Sequence, residues 1–102
     1  IMKKLIIAMM LMAATSQAQT VLINGQSYPQ NDTVVVTTQY ADIEVVSPYY
    51  VTSVSVVYVG VTSFYVPNFQ ESFMVTSKPK LFRVNWFVGG TKTATYRCYL
   101  KR

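Results

Sequence analysis

The sequence predicts an all-β chain that folds as a single antiparallel β-sandwich of seven to eight short strands. Apolar and polar residues alternate over short runs, which is typical of strands with one buried face. Turn signals containing Gly, Pro or Asn recur at intervals of about ten residues. Sixteen valines and fourteen aromatic residues supply side chains that favour strands. No segment after residue 18 has a sustained helical period, and 102 residues are enough for one domain only.

Residues 1–18 have the pattern of a secretory signal peptide. Lys3 and Lys4 precede ten apolar residues, and Ser16 and Ala18 are the small residues that a signal peptidase reads. A run of ten apolar residues is about half of what a membrane-spanning helix requires. We therefore predict a cleavable signal helix at 1–18 and an exported domain at 19–102 with no transmembrane span. The expected location is secreted or periplasmic, including association with the cell surface.

The charge balance and the cysteine content limit the classes of function. After residue 18 the chain has seven basic and four acidic residues, a net charge of +3. This charge is too weak to indicate a nucleic-acid partner. Cys98 is the single cysteine, so no intramolecular disulfide can form and the core must come from apolar packing.

The first half of the domain contains three predicted strands. Residues 20–23 form the first and are followed by the turn pair Asn24-Gly25. Residues 33–38 form a short valine-rich strand. In the strand 40–47, apolar residues occupy every second position from 41 to 45, which predicts one buried and one solvated face. Pro48 ends this strand.

The second half contains the remaining strands. We predict strands at 51–59, 61–66 and 71–77, then a corner at 78–80 and a final hairpin at 81–100. Short strands with a turn signal between each pair indicate a sandwich or a small barrel.

The final hairpin has two alternating runs around Gly89-Gly90. Its apolar stripes are Phe82, Val84, Trp86 and Val88 on one strand and Ala94, Tyr96, Cys98 and Leu100 on the other. A two-residue turn would oppose apolar to polar residues, whereas a three-residue loop or an equivalent bulge keeps one face apolar. We therefore predict the longer loop or the bulge, which places Arg83 opposite Arg97. A five-residue loop ending at Thr93 is the alternative and would place Arg83 opposite Tyr99.

The order of these features along the chain is informative in itself. A split first strand precedes the strand Ala41-Asp-Ile-Glu-Val, a Val/Tyr strand ends at Gly60, and the hairpin has Trp86 before its glycine turn and Tyr96 after it. In this order, residues 20–102 resemble bacterial immunoglobulin-like (Ig-like) and fibronectin type III-like β-sandwich modules. The resemblance implies an Ig-like sandwich that serves as a spacer, an adhesive unit or a binding scaffold.

The sequence carries few residues suited to catalysis or metal binding. It has no histidine, which excludes His-activated nucleophiles and His-ligated metals. Asp42 and Glu44 are the only near pair of carboxylates. We interpret them as a solvated strand surface, with half of a cation or acid–base site as the alternative. Alternation assigns Cys98 to the core, with a reactive or intermolecularly bonded thiol as the alternative. We predict no catalytic residue, no cofactor and no metal.

The outward face of the final hairpin is the first candidate binding surface. Forked donors and aromatic rings suit glycans, carboxylates or a partner's backbone, although an ordinary outer sheet face has a similar composition. The candidate binding residues on this face are Arg83, Asn85, Phe87, Arg97 and Tyr99. A second candidate is the loop pair Tyr49 and Tyr50, which could equally cover the end of the core.

The predicted function is that of an exported, non-catalytic binding or structural module, such as an adhesion module. Its expected partner is a protein or a glycan of the cell envelope. One alternative is a subunit of a surface polymer assembled by β-strand addition, which requires an open edge. The other is a small periplasmic enzyme inhibitor.

Overall fold

The structure, a computed structural model, describes residues 19–102, which fold into eight strands and no helix. The predicted signal helix at 1–18 lies outside the described residues. Within 19–102 there is no helix of the length and apolarity that a bilayer span requires. The strands are β1 (Thr20–Ile23), β2 (Thr33–Val35), β3 (Tyr40–Val46), β4 (Ser53–Tyr58), β5 (Val61–Tyr65), β6 (Phe69–Met74), β7 (Lys80–Val88) and β8 (Thr91–Lys101).

The strands form two sheets in a β-sandwich-like arrangement. One sheet has the order β1-β3-β6, and the other has the order β2-β8-β7-β4-β5. All pairings are antiparallel except that of β2 with β8, which is parallel. The prediction of an all-β, mainly antiparallel fold is therefore confirmed.

The core consists of the alternate residues of both sheets. In β3 every second side chain is buried, as the sequence pattern predicts. From the hairpin, Phe82, Val84 and Trp86 are almost completely buried, and Cys98 is fully buried. Other buried side chains of the core are Val21, Ile23, Val34, Val36, Ala41, Ile43, Val45, Val51, Val54, Val56, Tyr58, Val75 and Leu100.

Polar anchors hold the buried tryptophan. The Nε1 of Trp86 donates a hydrogen bond to the Oγ of Ser47 over 2.9 Å. Ser47 in turn donates to the carbonyl oxygen of Pro67. The indole nitrogen is thereby satisfied inside the core, as buried donors must be.

Two predicted strands end three residues earlier than expected. The strand predicted at 33–38 ends at Val35. Val36 still donates its backbone N–H to the carbonyl of Lys101, but the chain then bends away. The strand predicted at 71–77 lies at Phe69–Met74, since the turn after Pro67 ends earlier than expected. Beyond it, Val75 donates its backbone N–H to the carbonyl of Gln39.

The register of the final hairpin agrees with the prediction of a bulge. Trp86 is opposite Ala94, and Arg83 is opposite Arg97. The turn itself is the two-residue pair Gly89-Gly90, because Val88 is opposite Thr91. The extra residue is taken up by a β-bulge between Trp86 and Phe87, which keeps both apolar stripes on the inner face.

Candidate ligand-binding face

The outer face of β7 and β8, called here the hairpin face, lies in the middle of the five-stranded sheet. Its outward residues pair across the two strands as Leu81 with Tyr99, Arg83 with Arg97 and Asn85 with Thr95. Strand β4 continues the face on the other side of β7, where Val57 is opposite Arg83. Four of the five candidate binding residues of the hairpin thus lie in paired rows, and Phe87 follows them at the bulge.

The bulge adds a third cation to this face. Because Phe87 is opposite Lys92 while Trp86 is opposite Ala94, Thr93 has no partner of its own in the ladder. This shift in register places Lys92 on the outer face of β8. Its exposed side chain therefore lies on the same face as Arg83 and Arg97. Strict alternation along 93–99 does not identify Lys92. A bulge is predicted from the sequence, but its position along the hairpin is not, and that position is what places Lys92 on the outer face.

The loop before β2 fixes the position of Arg97. Gln30 donates its Nε2 to the carbonyl of Thr95 over 2.8 Å and accepts the backbone N–H of Arg97 over 3.1 Å. Asn31 donates its backbone N–H to the carbonyl of Arg97 over 2.8 Å. The Nε of Arg97 donates to the Oδ1 of Asn31 over 3.2 Å. These contacts with residues about 65 positions earlier in the chain have no signal in the sequence.

Arg83 has a half-buried side chain on the outer face. Its neighbours across the sheet are Val57 on one side and Arg97 on the other. The Nε of Arg83 is buried and has no hydrogen-bond partner among the described residues. A guanidinium nitrogen that is removed from water without gaining an acceptor destabilises the folded state. The buried Nε of Arg83 therefore carries a cost in folding free energy.

These residues line a shallow groove of about 450 Å³, called here the basic groove. Its lining residues are Gln30, Asn31, Arg83, Lys92, Thr95 and Arg97. Three of the six are cations, and no carboxylate is among them. The groove therefore has a positive potential that favours anions.

Asn85 lies on the predicted face but is buried. Its Nδ2 donates to the Oγ of Ser55 over 3.2 Å, and its Oδ1 accepts the hydroxyl of Thr95 over 2.9 Å. The three side chains form a row of hydrogen bonds across β4, β7 and β8. With both ends of its amide occupied, Asn85 supports the face and leaves ligand contacts to its neighbours.

Aromatic side chains flank the basic groove at both ends of the hairpin face. Tyr99 is 39% exposed and lies beside Leu81. At the other end, the rings of Phe87 and Phe64 are 6.4 Å apart, and Phe64 is 71% exposed. Exposed rings on either side of a charged groove resemble the composition of recognition surfaces.

The second candidate, Tyr49 and Tyr50, lies in the turn between β3 and β4. The two rings meet edge to face with centroids 5.6 Å apart, and Tyr49 is 88% exposed. Thr52, just after the turn, bonds to the carbonyl of Phe87 and to the backbone N–H of Gly89. The tyrosines therefore lie at the same end of the domain as the hairpin turn, outside the basic groove.

The acidic pair of β3 lies in the other sheet. Asp42 and Glu44 are exposed, and Asp42 accepts a hydrogen bond from Ser72 over 2.8 Å. Both residues line an open, polar groove of about 420 Å³ with Asn24, Thr38 and Gln70. Among residues 19–102 no three His, Cys, Asp or Glu side chains are close enough together to hold a metal ion.

Cys98 lies in the core, as its alternation predicts, and its thiol is free. Removal from water is the main cause that raises the pKa of Cys98 to about 11, and the negative charge of Asp32 adds to it. A hydrogen bond with Tyr96 acts in the opposite direction. Burial likewise raises the pKa of the Tyr96 phenol. A buried, protonated thiol behaves as a small apolar side chain.

Comparison of the chain with known proteins finds no matching family model, no matching curated protein and no matching solved structure. The geometry of the hairpin face is therefore the basis for a functional proposal.

Proposed function

We propose that the protein is an exported, non-catalytic binding module that recognises a glycan or a protein of the cell envelope through the hairpin face. The observation that carries this proposal is the row in which Arg83 and Arg97 lie side by side in a groove with no carboxylate among its lining residues. Opposed like charges destabilise a sheet, so their presence at a central position is better explained by a ligand than by folding.

The proposal includes an Ig-like arrangement of the sandwich. The strand order supports it, with β1-β3-β6 in one sheet and β2-β8-β7-β4-β5 in the other. The placement of β1 in one sheet and of the short strand β2 in the other is a second point of support. A rigid sandwich holds its surface side chains in place without a conformational change, which suits a recognition role.

Affinity capture from the native cell envelope tests this function. The protein is immobilised, and the material it retains is compared with that retained by the variant Tyr99→Ala. We expect the variant to retain less, because an exposed ring that stacks on a ligand contributes strongly to binding. The control is Tyr40→Ala, which removes an exposed tyrosine from the opposite sheet. Equal retention by all three proteins would contradict a role of the hairpin face.

A second candidate function is a polymer subunit joined by strand addition, and the edge strand β5 favours it. β5 carries no charged residue, and Val61 and Phe64 are both more than half exposed. Edge strands of this kind pair readily with other chains. By contrast, β8 lies between β7 and β2 and is unsuited to exchange. Sedimentation at high protein concentration tests the idea, since a polymer subunit must self-associate and a strict monomer would exclude it.

Inhibition of an enzyme through a loop stays a hypothesis for which no loop stands out.

A further inference from the structure

We infer that the ligand of the hairpin face is an acidic polysaccharide, with the carboxylate of a uronate unit held between Arg83 and Arg97. This inference rests on the proposed function and names its ligand class.

The first argument is electrostatic. Directly opposed residues of an antiparallel pair have Cβ atoms about 5 Å apart, so the two guanidinium groups repel each other unless an anion lies between them.

The second argument concerns hydrogen bonds. The Nε of Arg83 is buried and has no partner among the described residues, whereas the Nε of Arg97 is held by Asn31. Both guanidinium groups line the groove, and each has two terminal nitrogens that can donate hydrogen bonds. A carboxylate matches such forks in charge and geometry, and it can accept from both arginines at once.

The third argument distinguishes a polysaccharide from an acidic peptide. β7 is paired on both sides, with β4 and β8, so the backbone groups beneath the groove are already used within the sheet. An extended peptide, which sheet proteins bind mainly through unpaired edge backbone, finds no such partner on this face. A sugar is recognised through side chains alone. Tyr99 and Phe87 provide rings to stack on, and Thr95 and Lys92 are polar groups beside them.

The length of the hairpin face fits a chain of several sugar units. From the row of Tyr99 and Leu81 to the row of Phe87 and Lys92 there are six residues of β7. At about 3.3 Å per residue this distance is about 20 Å, with the arginine row between the two ends. The inference is thus an acidic oligosaccharide laid along β7 and β8, with a carboxylate at the arginine row, two residues of β7 from the Tyr99 end and four from the Phe87 end.

The test uses tetragalacturonate as the probe and isothermal titration calorimetry as the measurement. We expect binding by the unaltered protein and a loss of affinity of roughly ten- to hundredfold in Arg83→Gln and in Arg97→Gln, since each removes a charged hydrogen-bond donor. Lys92 is exposed, so we expect Lys92→Gln to keep the fold and to weaken binding less than either arginine variant does. Lys78→Gln is the matched control, because it removes the same charge from an exposed turn outside the groove.

Two further probes define the ligand class. The methyl ester of tetragalacturonate keeps the sugar rings but lacks the charge, and we expect it to bind at least tenfold more weakly. Hexaglutamate has the charge but lacks the rings. Binding of hexaglutamate equal to or tighter than that of tetragalacturonate would overturn the inference in favour of an acidic peptide. Affinities that are equal in Lys78→Gln and Lys92→Gln, or no binding of tetragalacturonate at all, would also overturn it.

The outcome separates the inference from the proposed function. If tetragalacturonate fails to bind while capture of envelope material still depends on Tyr99, the inferred ligand class is wrong and the proposed binding function is retained. If capture is also independent of Tyr99, both are wrong.

Discussion

Arg83 and Arg97 show how a single pair of residues can indicate a function. Their opposition is unfavourable to folding, and the buried Nε of Arg83 adds to the cost. Residues that lower stability are common where they serve binding, because selection acts on the function as well as on the fold. The same reasoning leads to a prediction for the protein without a ligand.

Arg83→Met is expected to stabilise the ligand-free protein by about 0.5–1 kcal/mol, because it removes a like-charge contact and an unpartnered donor while keeping a similar volume. Urea unfolding at low salt measures the change. The gain should shrink at about 1 M NaCl, where charge repulsion is screened. A loss of stability in this variant would contradict the view that the charge of Arg83 is unfavourable to folding.

Cys98 leads to a prediction about pH. Its pKa is about 11 in the folded protein and about 9 when unfolded, so between these values the folded state holds a proton that the unfolded state has lost. The contribution of Cys98 to stability is therefore constant below pH 9 and falls as the pH rises from 9 to 11. Burial also raises the pKa of Tyr96 and Tyr58, and both add to the fall above pH 10.

Urea unfolding at a series of pH values checks this expectation. In Cys98→Ala the decline between pH 9 and 11 should be shallower than in the unaltered protein, since the thiol contributes up to about 1.4 kcal/mol per pH unit. An unchanged decline would assign it to the tyrosines alone. At neutral pH, the buried thiol should react with a thiol reagent only after the protein is unfolded.

At the scale of elements, the β7–β8 hairpin combines a two-residue turn with a bulge. Both turn glycines have positive φ, 57° at Gly89 and 87° at Gly90, as a turn of type I′ requires. The bulge at Phe87 then restores the register that a two-residue turn alone would shift. The turn decides where the chain reverses, and the bulge decides which side chains reach the basic groove.

Gly90→Ala is expected to destabilise the protein by about 1–2 kcal/mol through backbone strain, because a positive φ is unfavourable for a residue with a Cβ atom. No heavy atom lies within 4 Å of the added Cβ, so a steric clash does not contribute. The control is Gly89→Asn, which we expect to cost less, since Asn tolerates the left-handed conformation. Thermal unfolding compares the two. Equal losses in the two variants would contradict backbone strain as the cause of the effect.

The supporting row of Ser55, Asn85 and Thr95 operates at the same scale. It links three neighbouring strands on the outer face, and the amide of Asn85 at its centre is buried. Sequence alternation assigns Asn85 to the outer face correctly. Its burial depends on the side chains of β4, whose position beside β7 is a property of the sheet order.

At the scale of the whole molecule, the domain is stabilised without a disulfide among its described residues. Its core is built from valines, from Trp86, and from a cluster in which Tyr58, Phe73 and Phe82 meet edge to face. The hydroxyl of Tyr58 donates to the carbonyl of Met74 and so links the two sheets. Such packing suits a small, rigid scaffold whose outer face is available for binding.

The sequence by itself determined the all-β class, the approximate positions of the strands and the buried stripes of the hairpin. These features follow from the two-residue period of strands, which is visible in any short segment. The apolar stripes left two registers for the hairpin, and the structure has the one with Arg83 opposite Arg97, not the one with Arg83 opposite Tyr99.

Only the tertiary structure decided which other groups join that pair. Lys92 depends on the location of the bulge, and Gln30 and Asn31 come from a loop more than sixty residues away in the chain. The burial of Asn85 and the exposure of β5 depend on the order of strands in the sheet. The physical reason is that periodicity reports the local division between core and solvent, whereas a binding groove is formed by side chains from distant segments that meet only in the folded protein.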